Sequence, residues 1–331
     1  MKIFVFLFCV FYFVSCSYPE ILSNPGTAGA NFLKINLSAR AEGLAQNFCG
    51  LSDDPSAIYF NPAGIAQIRE KKLQMNHITW YEDVYADNVV FVIPVLSIAT
   101  IGFDYRTLLG EDYVRTLEND IVIQKDKIIL SDTAFSVSFA MKFSVGEFKE
   151  DNLYFGATGK YIDEKLFNNE NYSYACDFGI LYDYKKMNSM YGISLQNIGL
   201  NIGEYILPWS LPRCRISLPS LPNIGEYILP WTLRIGTSYK SNDYLISWEI
   251  SQGIDTRTRA GFGVELKTSD IVVLRIGGFY QSDQLSYTLG LGINTGYFEF
   301  DYAYAKHPDG NLSELGFVSN KVSLTLKFNK F

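Results

Sequence analysis

The feature that most constrains this chain is a period-two alternation of large apolar with small or polar residues, which returns from about Leu73 to the C-terminus. Successive side chains of a strand point to opposite faces, so runs of this kind read as strands with one greasy face. Phe135, Val137, Phe139, Met141 and Phe143 alternate with Ala134, Ser136, Ser138, Ala140 and Lys142. Leu285, Tyr287, Leu289, Leu291 and Ile293 alternate with Ser286, Thr288, Gly290, Gly292 and Asn294, and the same pattern recurs at Phe298–Ala305 and Val322–Phe328. Gly, Asn, Asp, Ser and Pro break the runs where turns belong. Strands are expected at 73–81, 86–94, 97–106, 133–144, 153–163, 172–184, 188–198, 231–240, 244–252, 258–268, 271–281, 285–294, 297–306 and 321–329.

A soluble β-sandwich also alternates, so the choice between water and lipid needs more than the period. The expected strands run to about nine to eleven residues, the length a tilted strand needs to cross a bilayer. Their number is even, as in single-chain outer-membrane barrels. Aromatic residues crowd the strand ends at Trp80, Tyr81, Tyr105, Tyr172, Tyr182, Tyr239, Tyr280 and Tyr297, as an interfacial girdle requires. Connections on one side are short, at 94–97, 145–152, 185–188, 241–243, 269–270 and 295–296, whereas the other side carries 107–131, 164–171, 199–230 and 307–320; the apolar centre of 107–131, at Ile121–Ile123 and Ile128–Leu130, makes a hairpin of its own the alternative there. Short turns on one side and long loops on the other is the outer-membrane asymmetry. The fold expected is all-β, a 14-stranded antiparallel transmembrane β-barrel, whose closure satisfies every backbone amide in lipid.

The N-terminus supports export. Lys2 precedes an unbroken apolar run, Ile3 to Val14, and then Ser15-Cys16-Ser17, which is the order of a secretory signal peptide over 1–17. Lipid attachment at Cys16 is the alternative. After the leader no apolar run approaches 20 residues, so membrane crossing is left to strands. The three cysteines beyond it, Cys49, Cys176 and Cys214, form neither a disulfide framework nor a metal-binding spacing. A net charge of −7 with scattered Lys and Arg argues against nucleic acid as a partner.

Residues 18–71 do not alternate and must lie elsewhere, with the barrel at 72–331. Asp53-Asp54-Pro55 and Asn61-Pro62 are helix-start signals, a capping side chain followed by proline. The run GANFLKINLSARAEGLAQNFCGLSDDPSAIYFNPAGIAQI resembles the N-terminal signature of PorV/PorQ-type outer-membrane proteins and, more distantly, of FadL-type channels for long-chain fatty acids. The residues that carry it are Arg40, Asp54, Ser56, Ala57, Asn61, Pro62, Ala63 and Gly64. The resemblance implies that 18–71 forms a plug, or hatch, inside the barrel. It also implies passive passage of hydrophobic molecules such as long-chain fatty acids; a PorV-like shuttle in protein secretion is the alternative, with secreted proteins as partners. Membrane lipid and the barrel assembly machinery are the other partners expected, and the outer membrane the location.

No catalytic or cofactor site is expected. His77 and His307 have no spaced partner that would make a metal ligand set or an oriented base. Strand phase turns charges inward, among them Lys142, Arg234, Arg275, Glu299 and Asp301, because a charge on the lipid face at mid-bilayer costs about 2–4 kcal/mol for Lys or Arg. Mixed signs predict an ion-paired interior that grips the plug. The loop 199–230 is apolar, with Ile206, Leu207, Trp209, Leu229 and Trp231, and exposed apolar loops mark ligand or partner surfaces. In FadL-type channels such loops form a landing groove, which is what the resemblance implies here; a lid over the barrel mouth is the alternative. The nonapeptide NIGEYILPW occurs there twice, at 201–209 and 223–231. Two units are too few for a repeat fold, so it reads as a tandem duplication tolerated in an outward loop.

Overall fold

The computed structural model describes residues 28–79, 84–118, 121–146, 150–166, 169–202, 227–281, 284–306 and 318–328. The strands are β1 (Lys71–Thr79), β2 (Tyr85–Pro94), β3 (Ala99–Glu118), β4 (Ile121–Val145), β5 (Asp151–Leu166), β6 (Asn169–Tyr184) and β7 (Ser189–Gly199), then β8 (Thr232–Lys240), β9 (Tyr244–Gly253), β10 (Arg259–Lys267), β11 (Val272–Gln281), β12 (Gln284–Asn294), β13 (Phe298–Lys306) and β14 (Val318–Phe328). Each pairs antiparallel with its sequence neighbours, and β1 pairs with β14 from Lys71↔Phe328 to Thr79↔Asn320, which closes the barrel. Closure leaves no edge strand in the barrel wall.

The alternation sorts inside from outside as its period demands. On β4, Phe135, Val137 and Phe139 are exposed while Ser136, Ser138 and Ala140 are buried. Exposed Tyr, Phe, Leu and Ile recur around the barrel, and the buried positions opposite them hold small, polar or paired charged groups. A water-soluble sandwich would have the reverse economy of apolar surface, so this exterior is that of a membrane-spanning barrel.

The connection 107–131 is not a loop. β3 and β4 continue as a ladder from Gly110↔Leu130 out to Glu118↔Ile121, beyond Leu109, where β2 stops, and Leu130, where β5 stops. The β-branched run around Ile121 and Ile128 favours strand over open loop. The result is a two-stranded ribbon standing roughly 30 Å beyond the barrel rim, at about 3.4 Å per residue.

Residues 28–70 lie within the barrel, with Ala39, Ala41, Leu44, Phe48 and Phe60 fully buried. Their helices, Ala39–Gly43 and Ala57–Phe60, and the 3₁₀ turns Asn31–Lys34 and Pro62–Gln67 are too short to persist alone. Caps and the surrounding wall hold them. The Ser38 hydroxyl accepts from the Ala41 N–H, and the Asn61 side chain accepts from the Ala63 N–H at 3.2 Å with Pro62 in the first helical position. The Asp54 carboxylate accepts from the Ser56 N–H at 2.8 Å, across Pro55. The second start thus has the geometry its sequence suggests, whereas at the first Asp54 and Pro55 form a turn ahead of the helix, which begins at Ala57 after Ser56.

Candidate functional site: the interface between the N-terminal segment and the barrel wall

On the side of β6 to β14 the segment is held by charge. Arg40 is central: one terminal nitrogen donates to Asp53 at 2.6 Å and to Asp54 at 3.0 Å, and Nε donates to Glu265 of β10 at 3.1 Å. Glu265 also accepts from Arg275 at 2.7 Å, and Arg275 reaches Asp301 at 2.7 Å, so one network runs from the segment across β10, β11 and β13. Glu42 takes Lys321 of β14 at 2.6 Å, and Lys34 meets Asp255 of the β9–β10 turn at 2.9 Å. Glu249, paired with Arg234 at 2.7 Å, accepts from the backbone N–H groups of Phe48 and Cys49 at 3.0 and 2.8 Å.

These fields set the protonation of the segment's own groups. Burial works against the Arg40 charge, but Asp53, Glu265 and Asp54 outweigh it and hold the guanidinium well above its ordinary pKa. Burial would raise Asp53, yet Arg40 and Lys240 pull it well below the usual carboxylate range. Asp54 stays raised by burial, because its Arg40 bond is longer and the Asp53 charge repels it. At Glu42, burial is overcome by Lys321 and by Asn36, whose amide donates at 2.8 Å, and the carboxyl lies below its ordinary value. Burial, then the Glu249 charge, pushes the Cys49 thiol up to about 12, which leaves it unreactive.

The Asn-Pro-Ala-Gly turn crosses the wall where that wall has no side chains. Asn61 Nδ2 donates to the Cys49 carbonyl at 3.1 Å and to the Ile180 carbonyl of β6 at 3.0 Å. Gly156 and Gly179 are register partners on β5 and β6. A Cβ on Gly179 would stand 2.0 Å from Asn61 Oδ1, and one on Gly156 would stand 2.3 Å from the Ala63 nitrogen. Sequence reading missed this glycine track, although glycines at the inward phase of successive strands were there to be seen.

On the side of β1 to β5 the interface changes character. Toward the short turns, Ile58, Ile65, Ala66 and Ile68 pack on Val90, Val92, Ala140 and Tyr154, with Leu181 of β6 at the border between the two sides. Toward the long loops, Phe32, Leu33 and Leu37 pack among Ile78, Ala86, Leu108, Ala134 and Ile162. Between these apolar layers lies a polar belt containing Asn76, Asn88, Asp104 and Arg106, and a pocket with room for about one water molecule. Among the described residues, the segment's ion pairs with the wall fall on β8, β10, β14 and the β9–β10 turn, apart from Glu70 and Lys72 at the junction with β1. Its hydrogen bonds to the β1–β5 side are at the ends: Arg69 to the Ser97 carbonyl at 2.9 Å, and the Ala30 N–H to Glu164.

The structure brings Arg40, Asp54, Ser56, Asn61, Pro62, Ala63 and Gly64 together inside the barrel, and turns Arg234, Arg275 and Asp301 inward beside them, with Glu299 half-buried against Lys327 at 2.6 Å. Lys142 differs: it is half-buried near the turn end of β4, where the strand leaves the packed lumen, and it forms no ion pair among the described residues. Leu229 is not an open landing residue. It is 2% exposed and packs with Ile202 over Ala30, Phe32 and Leu33, because Ile202 and Tyr227 pair as a bridge that folds the second nonapeptide down onto the segment. Trp231 is half-buried at the start of β8, while Ile206, Leu207 and Trp209 lie outside the described residues, as do the leader 1–17 and the girdle residues Trp80 and Tyr81.

His77 has partners the sequence did not single out. Its register partner is Asp87, whose carboxylate lies 2.7 Å from Nδ1, and Thr79 Oγ1 is 3.3 Å from Nε2. All three stand on the exposed outer face, and the backbone there is committed to the β1–β2 and β1–β14 ladders, which leaves no pair of N–H donors for an oxyanion. Among the described residues no cluster of His, Cys, Asp and Glu is arranged to hold a metal ion.

No protein-family model matches the chain, and no curated protein does. Solved structures do. The Ralstonia pickettii toluene transporter TbuX superposes with a TM-score of 0.59 at 10% identity, over 89% of this chain and 100% of that one. The Pseudomonas putida toluene transporter TodX gives 0.59 at 11%, over 87% and 98%, and a Pseudomonas aeruginosa FadL homologue gives 0.54 at 13%, over 88% and 98%. At such identity the likeness is one of fold, and it extends over nearly the whole chain.

Proposed function

We propose that this chain is a passive channel for small hydrophobic molecules in a Gram-negative type outer membrane, with residues 18–71 as its plug and 72–331 as its barrel. The observation that carries the reading is the uneven attachment of the buried segment: directional ion pairs on one side, separable apolar contacts on the other. A segment fixed by ion pairs at one side and held by apolar contacts at the other can part from the apolar side without leaving the barrel. The shared fold with transporters of toluene and with a FadL homologue supports this reading, as does the apolar exterior. In this proposal the leader 1–17 directs export, the barrel assembly machinery inserts the chain, and the protein has no catalytic role. The test is uptake of an uncharged hydrophobic solute such as p-xylene by cells carrying the intact barrel, the barrel lacking 28–68, or the full chain with Arg40→Met. Uptake that differs among the three is expected; equal uptake in all would refute gating by the segment.

A second reading has one observation in its favour. Among the described residues no strand flanks the β3–β4 ribbon beyond the rim, and an isolated two-stranded ribbon is marginal in water. A protein partner would stabilise it, as a secretion shuttle of the PorV kind requires. Recovery of exported proteins with the full barrel, lost on trimming 111–129, would favour this reading over the channel.

A further inference from the structure

The polar belt on the β1–β5 side has a hydrogen-bonding vacancy of one definite kind. Asn76 Nδ2 donates to Asn88 Oδ1 at 2.7 Å, Asn88 Nδ2 donates to Asp104 Oδ1 at 2.7 Å, and Arg106 Nε donates to Asp104 Oδ2 at 3.3 Å. The chain ends on Asn76 Oδ1, an acceptor in a residue only 4% exposed, and no donor among the described residues reaches it. Two further buried groups on the inward face of this seam have no partner among the described residues: the acceptor Gln74 Oε1 and the Thr325 hydroxyl, which can donate or accept, register partners across β1 and β14. The pocket beside Asn76 is polar toward Asn36 and Ser38 and apolar toward Leu37, Ile58 and Val90.

The cations at the belt are already matched. Arg106 is paired with Asp104, and Lys160 with Asp177 at 2.7 Å. A carboxylate entering the belt would bring a charge without a free counter-ion and no donor for Asn76. A hydrocarbon would displace water from the belt and leave the acceptors bare, at a cost of about 1–3 kcal/mol for each buried group so stranded. A hydroxyl is the size of the pocket, carries no charge, and supplies the missing donor.

We infer that the molecules this barrel passes are uncharged amphiphiles with a single hydroxyl, such as phenols and aliphatic alcohols, and that Asn76 selects them at mid-lumen. The hydroxyl takes the place beside Asn76 while the carbon skeleton crosses between the apolar layers above and below, along the side where the segment is not ion-paired. The inference rests on the channel reading and names its substrate class.

The test compares three radiolabelled solutes that share a methylated ring: p-cresol, p-xylene and 4-methylbenzoate. Initial uptake is measured in cells carrying the full barrel and in cells without it. Uptake of p-cresol is expected to exceed that of p-xylene by roughly fivefold, the worth of about one net hydrogen bond, with the carboxylate slowest. In Asn76→Leu the ratio of p-cresol to p-xylene should fall to near one, and Asn76→Ser, which keeps a small polar group, should retain part of it. Folding of each variant is checked by its heat-dependent shift in gel mobility. Equal entry of the three solutes, or a preference for p-cresol that survives in folded Asn76→Leu, would overturn the inference while leaving a channel. Entry of none above the barrel-free cells would overturn the channel reading itself.

Discussion

The two sides of the lumen hold the same segment by different physics. Toward β6–β14, Arg40, Glu42 and the backbone of Phe48 and Cys49 meet Glu265, Lys321 and Glu249 in bonds that fix position and direction. Toward β1–β5, Ile58, Ile65 and Ile68 meet Val90, Val92 and Tyr154 through contacts that tolerate sliding. Breaking one partner of a buried ion pair strands a charge, whereas parting two apolar faces costs only their burial. Under the proposed channel reading, the difference would make β6–β14 the anchor and β1–β5 the side that yields.

The largest expected effect tests the anchor. Arg40→Met leaves Asp53, Asp54 and Glu265 buried together with one guanidinium fewer, and should loosen the segment by about 3–5 kcal/mol. Hydrogen exchange should rise across 39–60 while the strand amides stay protected; unchanged exchange would refute the anchor.

On the yielding side, Ile65→Ala should cost about 2–4 kcal/mol of packing, and exchange should rise near 62–68 without release of the Arg40 network. If both variants free the whole segment alike, the two sides are not distinct.

Acid should act on the anchor alone. Asp53 and Glu42 have folded pKa values depressed below their unfolded ones, so their stabilisation is complete above the ordinary carboxylate range and declines as pH falls through the folded values. Asp54 is raised, so the folded state binds its proton more tightly and that protonation does not loosen the segment. Protection of 39–60 should therefore hold to about pH 4 and fade below it, which exchange measured across a pH series would show.

The smallest effect concerns the duplicated loop. Ile202 and Tyr227 exchange both backbone bonds, at 2.8 and 2.9 Å. Because the nonapeptide is repeated, removing 201–222 or 203–224 gives one and the same chain, in which that pair is closed by Gly-Glu alone. Glycine at the first central position suits a tight two-residue hairpin turn. Melting should move by less than about 1 kcal/mol in equivalent stability; a barrel that fails to fold would show that the insertion matters to the structure.

Much of the fold was legible because a strand's period is two and lipid admits few arrangements. Ser136 and Phe135 declare their sides by parity alone, and the number of runs sets the number of strands. The hairpin at 107–131 was legible as an alternative from its apolar centre, but not its continuity with β3 and β4, because Asp, Glu and Lys there look like loop while a ladder satisfies backbone whether or not its side chains are charged. Lys142 shows the limit of parity: phase gives the direction of a side chain but not its height in the barrel. Leu229 and Ile202 were misplaced because an apolar run does not say whether water or a neighbouring segment covers it.

The sequence by itself determined that this chain closes as a barrel, which residues face lipid, and that a non-alternating segment with two proline-led turns precedes it. Only the tertiary structure decided what that segment touches. Arg40 finds Glu265 across 225 residues, Glu42 finds Lys321, Gly179 makes way for Asn61, and Asn76 ends a chain of amides without a donor. Local pattern fixes the orientation of each strand's faces because it depends on a repeat of two residues. Partnership inside the lumen depends on the height and angle at which distant strands meet, and the three-dimensional closure supplies both.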